Sequence, residues 1–340
     1  MWKFGSAGRT RQYFRAHRAL RTVLGTALVV TLTAATGCDK LRGRNDAVTS
    51  IPSGAELDIR KRPAVLFEVF GERDDPRMVP LASIEDGKIR AIRLTPAAWQ
   101  TFDRIYFRPG TSYVLYQDGH PAGTVTVKQG MWSRPESPIY TLPNCQNMIP
   151  MAAVSMDSHV KAGITVEFLA TSIEIRAQTV AHVLAPTAAA TLARDVGARV
   201  AGDVSIPRAR LDSLDFHALA INTGANADPT LVVSYTDPNA EEAAAHGDET
   251  SYLFAIADRV GMADYSAGFS HSVNGIATKA QYRRYVDHLD VDGNGVDEIM
   301  LEGWQYDGDT YPMIMRYKEG RWVEVFRGPS SWCLDGADGR

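Results

Sequence analysis

From about residue 63 onward the chain is cut into short alternating stretches by tight-turn signals. That rhythm leaves room for little except antiparallel β-structure. Val65–Phe70 reads as a strand. Glu85-Asp86-Gly87-Lys88 reads as a hairpin turn between strands at Val79–Ile84 and Ile89–Leu94, and Asp118-Gly119 as a second turn between Tyr113–Gln117 and Gly123–Val127. The alternation of Ile164, Val166 and Phe168, then of Ile173 and Ile175, has the period of two that places side chains on one face of a strand. After about residue 203 strands are expected at Phe216–Asn222, Leu231–Tyr235, Tyr252–Ala257, Tyr282–Leu289, Glu298–Trp304, Tyr311–Tyr317 and Trp322–Phe326. Asp307-Gly308-Asp309 and Lys318-Glu319-Gly320 punctuate the last three.

Two helices interrupt the pattern. Thr95 has the side chain of an N-cap, and Pro96 follows at the first helical position, where its missing N–H costs nothing. Trp99, Phe102 and Ile105 then share a face suited to packing on a sheet. Thr187–Val200 is rich in alanine, carries Leu192 and Val196 at helical spacing, and has Gly202 just past its end. The expected fold class is therefore mainly β (α+β), with two β-rich domains and few helices. The expected boundaries are a signal peptide over 1–37, a flexible tether over 38–62, an N-terminal β-rich domain with one helix over 63–180, a connecting helix over 181–202, a C-terminal β domain over 203–328 and a tail over 329–340. With 45% hydrophobic and 22% charged residues, the 340-residue chain can bury a real core. Asp237–Glu249 is acidic and alanine-rich, and reads as a surface loop or short helix.

The first 37 residues have the anatomy of an export signal. Lys3, Arg9, Arg11, Arg15, Arg18 and Arg21 precede an apolar run from Thr22 to Ala35, and no acid lies among them. The run is too short and too rich in Thr and Ala for a bilayer span, which needs about 20 predominantly apolar residues. It ends in Ala35-Thr36-Gly37-Cys38. Small residues leading into a cysteine resemble the lipobox of bacterial lipoproteins, although Ala35 stands where that family usually has Leu. The resemblance implies lipidation of Cys38, which becomes the first residue of the mature protein. It also implies anchoring to the bacterial cell membrane, with the protein facing the periplasm or the cell exterior. The competing reading is an ordinary signal peptide with Cys38 incidental. One buried acyl chain holds a protein marginally, whereas several hold it firmly without a transmembrane helix. Removing six bases and no acid takes the formal net charge from −4 to −10. An acidic mature chain without a basic cluster argues against nucleic-acid binding.

If Cys38 carries lipid, Cys145 and Cys333 are left as an even pair in a compartment that permits disulfides. A bond between them would pin the C-terminal tail to the first half of the molecule. Two separate thiols are the alternative.

The most specific chemistry lies in Asp290-Val291-Asp292-Gly293-Asn294-Gly295-Val296-Asp297-Glu298. Oxygen-bearing side chains stand at loop positions one, three, five and nine, a backbone carbonyl is available at seven, and Gly295 at six permits a sharp turn. A short loop wraps a hard cation such as Ca²⁺ in this way, with six to eight oxygens at about 2.3–2.6 Å. The expected ligands are Asp290, Asp292, Asn294, Val296 through its carbonyl, and Glu298. Position twelve is Leu301, so the bidentate glutamate of an EF-hand is missing, and the flanks read as strands. The loop resembles those of the FG-GAP and VCBS-type repeats of β-propellers, over residues 282–326. That resemblance implies an antiparallel, blade-like β-meander with a structural Ca²⁺. A single copy falls short of the four to eight blades of a closed propeller. Asx side chains bonding their own backbone would give the same turn with no ion.

No familiar active-site motif accompanies the loop. The eight histidines show no zinc-binding spacing. Gly268-Phe269-Ser270-His271-Ser272 has part of a nucleophile elbow but lacks its second glycine. Asp287-His288, neighbours on a strand, read as surface polarity. Trp99, Trp132, Trp304, Trp322 and Trp332 are either a sugar-binding platform or core. These features together lead to the expectation of a non-enzymatic envelope lipoprotein that binds or scaffolds, with an envelope protein or glycan as partner and no nucleic acid. The alternative is an exported hydrolase or glycan-active enzyme whose site is assembled from distant residues.

Overall fold

Three pairs of residues with left-handed backbone, Asp86-Gly87, Asp118-Gly119 and Glu319-Gly320, set the hairpins of this fold. Two consecutive positive φ values make a two-residue turn whose twist matches that of its strands, and glycine adopts the second without penalty. The computed structural model describes residues 57–133, 145, 148–176, 183–259, 261–306, 310–329 and 333. The chain is mainly β, as its alternation requires. Residues 55–340 form one compact unit.

Seven strands make the first sheet: β1 (Ala64–Glu72), β2 (Asp75–Glu85), β3 (Lys88–Arg90), β4 (Ser112–Gln117), β5 (His120–Gln129), β6 (Ala152–Met156) and β7 (Thr165–Thr171). Their order is β1-β7-β4-β5-β6-β2-β3, and β2 also pairs with β1. Six antiparallel strands thus close into a barrel, which removes the free edges that open sheets must protect. Phe67, Val69, Met78, Leu115, Val125 and Phe168 form its core, packed with Trp99, Phe102 and Tyr106 of α1 (Pro96–Tyr106). Thr95 caps α1 as its sequence indicates, accepting a hydrogen bond from the Ala98 N–H at 3.3 Å. Leu57 and Ile59 belong to the same core. The stretch expected to be tether up to residue 62 is therefore already folded from Leu57, because its two apolar side chains have a surface on which to lie.

The second sheet is a meander of β8 (Asp215–Ile221), β9 (Thr230–Thr236), β10 (Glu249–Asp258) and β11 (Ser266–Ile276). One face is covered by α2 (Pro186–Asp203), whose Ala189, Ala193, Val196 and Val200 meet Leu231, Val233, Leu253 and Ala255. Gly197 permits the close approach, since a Cβ there would lie 2.4 Å from the Tyr235 ring. The helix expected as a connector thus covers one face of a sheet. A short α3 (Arg208–Leu211) precedes β8, and α4 (Ala240–His246) lies in the acidic stretch before β10.

The third sheet is the antiparallel meander β12 (Tyr282–Leu289), β13 (Glu298–Trp304), β14 (Tyr311–Lys318) and β15 (Arg321–Arg327). Ile299, Leu301, Met313 and Met315 pack against Tyr252, Phe254 and Ile256 of the second sheet. Met300, Ile314, Leu289 and Phe326 pack against Leu66, Ala82, Tyr116 and Leu169 on the outside of the barrel. The layers therefore run barrel, third sheet, second sheet, helix. Polar clasps reinforce both seams. Arg284 on β12 makes a bidentate pair with Glu167 of β7 at 2.6 and 2.8 Å and also binds Glu302. Trp322 Nε1 donates at 2.6 Å to the buried Asp258, which also accepts from Thr230 at 2.7 Å. No helix among the described residues is long and apolar enough to cross a membrane.

Cys145 and Cys333 are joined by a disulfide across 188 residues of sequence, with their Cα atoms 5.7 Å apart, and Cys333 forms a β-bridge with Met148. Closing so long a loop removes many conformations from the unfolded chain, which in the chain-entropy account stabilises the fold by about 3–5 kcal/mol. Replacing both cysteines by serine is expected to lower the unfolding free energy by about that amount in urea titrations, and an unchanged midpoint would contradict the assignment.

Candidate metal centre

The acidic loop joins β12 to β13, so strands flank it on both sides. Asp290, Asp292 and Glu298 converge there, each contributing a carboxylate oxygen, with the three oxygens within 4.8 Å of one another. Ligands around one ion at about 2.3–2.6 Å stand no more than about 5 Å apart, so the spacing fits a single cation. An all-oxygen donor set is hard and suits Ca²⁺, Mg²⁺ or Mn²⁺ better than a thiophilic metal.

The loop's own backbone already holds these side chains in place. Asp290 accepts from the N–H groups of Asn294 and Gly295, both at 3.0 Å, and Asp292 Oδ1 also accepts from Asn294 N–H at 3.0 Å. Asn294 is tied into the same turn, its Oδ1 accepting from Val296 N–H at 2.8 Å while its amide donates to Asp292 at 3.0 Å. Asp290, Asp292 and Glu298 therefore meet as expected, and Asn294 shapes the turn between them. Burial pushes Glu298 up to about 7 and raises Asp290 as well. A cation entering the loop thus displaces a proton, and its affinity rises with pH.

Arg316 of β14 gives the triad an internal counter-charge that the loop's spacing could not reveal. Its Nε donates to Glu298 at 2.7 Å, and Nη2 lies 2.9 Å from Asp292. The same guanidinium reaches the Gly87 carbonyl at 3.4 Å, in the β2–β3 turn of the barrel. Gly87 is pressed so close to the loop that a Cβ would lie 3.3 Å from the Asp292 carbonyl oxygen. The acidic loop thus sits at a seam between the barrel and the third sheet.

The next barrel turn covers a second polar group. His288 Nδ1 lies 2.7 Å from Asp297 Oδ2, and both residues are buried. Gly119 lies directly over them, because a Cβ there would fall 2.6 Å from the imidazole and 2.8 Å from Asp297. Asp287 is buried beside them, its Oδ1 accepting from His288 N–H at 2.7 Å. The expectation of surface polarity for Asp287 and His288 is thus corrected. The barrel covers this end of the sheet, which a strand pattern read alone cannot show. The pair that forms is His288 with Asp297, nine residues away, rather than with its neighbour. Of the Asp297-Glu298 dipeptide, Asp297 thus pairs with His288 while Glu298 joins the acidic triad.

Cys38 lies outside the described residues, as do Asp307–Asp309 and Trp332. Ser270 and His271 stand in regular register on β11, opposite Ala255 and Phe254, with no sharp turn to expose a nucleophile. The tryptophans are dispersed: Trp99 is in the barrel core, Trp322 is between sheets, and Trp304 stacks on Tyr282. Comparison with protein-family models, curated proteins and solved structures finds no match.

The Asp287 carboxyl is pushed up to about 7, chiefly by burial, from an ordinary value near 3.8. A carboxyl whose folded value is raised stabilises the fold at low pH, and that contribution is lost as pH climbs through about 7. Asp287→Asn is therefore expected to gain on the wild type between about pH 4 and 8, by at most about 4 kcal/mol. Urea unfolding across that range checks it, and a difference between the two proteins that does not vary with pH would contradict it.

Proposed function

We propose that this chain is an exported bacterial lipoprotein, anchored through Cys38, that binds or scaffolds at the cell-envelope surface and carries a structural Ca²⁺ in the 290–298 loop. The observation that carries the reading is the Cys145–Cys333 disulfide. Such bonds persist in oxidising compartments and are rare where thiols are kept reduced. The basic n-region, the apolar run and the small residues before Cys38 then give the route out of the cytosol and the attachment point.

The position of the acidic triad supports a structural role for its ion. A cation held by Asp290, Asp292 and Glu298 would brace a seam between barrel and sheet, where Arg316 already ties Asp292 and Glu298 to the Gly87 carbonyl. Buried carboxylates from one loop, backed by a barrel turn, suit stabilisation better than turnover of a substrate. The partner expected is another envelope protein or a glycan. The acidic balance of the mature chain speaks against nucleic acid.

The experiment uses the full chain, expressed in bacteria with its own signal and an alkyne fatty acid in the medium. Wild type is expected in the membrane fraction carrying the label, and Cys38→Ala without it; equal labelling of the two rejects the anchor. In the purified protein, saturating Ca²⁺ is expected to raise the melting temperature by about 5 °C, with Asp292→Ala abolishing the shift. A wild type indifferent to Ca²⁺ would reduce the loop to an ion-free turn.

A further inference from the structure

The acidic balance of the chain conceals a basic face on the barrel. Arg60, Lys61 and Arg62 follow one another at the 3-10 turn Ile59–Lys61, and all three are exposed. Leu57 and Ile59 are buried in the barrel core, so the stretch is fastened to the barrel while its charged side chains stay outside. Arg93 is brought alongside, because its carbonyl accepts the Leu57 N–H at 3.3 Å. The end of α1 lies against the same stretch. The Tyr106 hydroxyl donates to the Pro63 carbonyl at 2.7 Å. Burial raises the pKa of that hydroxyl, and the nearby Arg62 charge pulls it back. Arg104 and Arg108, both exposed, flank Tyr106 in sequence.

These charges are largely unmatched. Lys61 has Asp58 at 3.8 Å, and Arg104 binds the Thr101 hydroxyl at 3.1 Å. Among the described residues Arg60, Arg62, Arg93, Arg104 and Arg108 have no ion pair, whereas Arg77 is answered by Asp75, Arg90 by Glu85, Arg208 by Asp212, Arg259 by Asp228 and Arg327 by Glu324. Asp103 on α1 is buried and accepts from the N–H groups of Met131 and Trp132, so it does not face the surface. Six bases thus stand with one exposed acid, Asp58. The stretches outside the described residues do not cancel the surplus. Residues 39–56 and 134–144 each hold as many acids as bases, 334–340 holds one acid more, and adding both acids of 307–309 still leaves the sum positive.

We propose that this face docks on the anionic phospholipid headgroups of the membrane to which the chain is anchored. The inference rests on lipidation of Cys38. Eighteen residues separate Cys38 from Leu57, so the anchor holds the face within about 70 Å of the bilayer even at full extension, at a high effective concentration. Exposed charges are screened beyond about 8 Å at physiological ionic strength, so acids elsewhere on the chain do not cancel the attraction at contact. The same headgroups repel those acids, which favours one orientation of the molecule. The guanidinium fork matches two oxygens of a phosphate, and each base near an anionic surface strengthens binding by about fivefold.

The test uses residues 39–340, which contain the whole compact unit and lack both signal and lipid. Wild type is expected to sediment with vesicles of phosphatidylcholine and phosphatidylglycerol, and not with phosphatidylcholine alone. It is expected to come off at about 1 M salt, where the screening length falls to about 3 Å. The combined substitutions Arg60→Gln, Lys61→Gln and Arg62→Gln, all at exposed positions, are expected to weaken binding by about tenfold or more. Arg208→Gln, Lys279→Gln and Arg321→Gln together remove the same charge from the other layers and are expected to leave it unchanged. Absence of binding to the anionic vesicles overturns the proposal, as does equal weakening by the two triple variants. Binding to duplex DNA without binding to the vesicles assigns the face to nucleic acid instead. Labelling of Cys38 decides the anchor separately, so an unlabelled Cys38 and a face indifferent to anionic vesicles are distinct results.

Discussion

The fold depends on burying both faces of one four-stranded sheet. β12–β15 lies between the barrel and the second sheet, and its strands supply two apolar sets, Ile299, Leu301, Met313 and Met315 on one side and Leu289, Met300, Ile314 and Phe326 on the other. A sheet apolar on both faces is not soluble alone. It must find a partner on each side, and here the partners come from chain segments that precede it. Each fully buried side chain of this size contributes about 1.5–3 kcal/mol. The polar links, Arg284 to Glu167 on one side and Trp322 to Asp258 on the other, add register and direction to a contact that apolar packing alone would leave loose.

That arrangement also places the chemistry. The loop between β12 and β13 is held against the barrel through Arg316 and the Gly87 carbonyl, and Gly119 covers the His288–Asp297 pair on the same strands. Three carboxylates brought together in partial burial raise one another's cost. The structure offsets that cost with backbone N–H groups, with one guanidinium and, in the function proposed, with a divalent cation. At the other end of the sheet Arg283 is buried, its acceptors among the described residues being the Tyr282 carbonyl and Gln281 Oε1.

Much of the fold was legible in the sequence because its signals are local. The Asp86-Gly87, Asp118-Gly119 and Glu319-Gly320 turns and the Thr95-Pro96 helix start are each read within a few residues. Closure of the barrel was not legible, because the pairings of β1 with both β2 and β7 depend on long-range register. Strand β11 was missed since Gly268, Ser270, Ser272 and Gly275 have low strand propensity, and pairing with the apolar β10 overrides it. In the site, Asp290, Asp292 and Glu298 followed from spacing alone. Arg316 and the burial of Asp287 and His288 did not, because the residues that create them lie on β14 and in a barrel turn remote in sequence.

If the third sheet is the shared core of the whole unit, barrel and second sheet cannot unfold independently. Differential scanning calorimetry of the disulfide-bonded protein tests this most directly. One transition is expected, with the calorimetric enthalpy equal to the van't Hoff enthalpy. Two resolved transitions, or a van't Hoff enthalpy well below the calorimetric one, would show that barrel and sheets are separate folding units and would contradict the account.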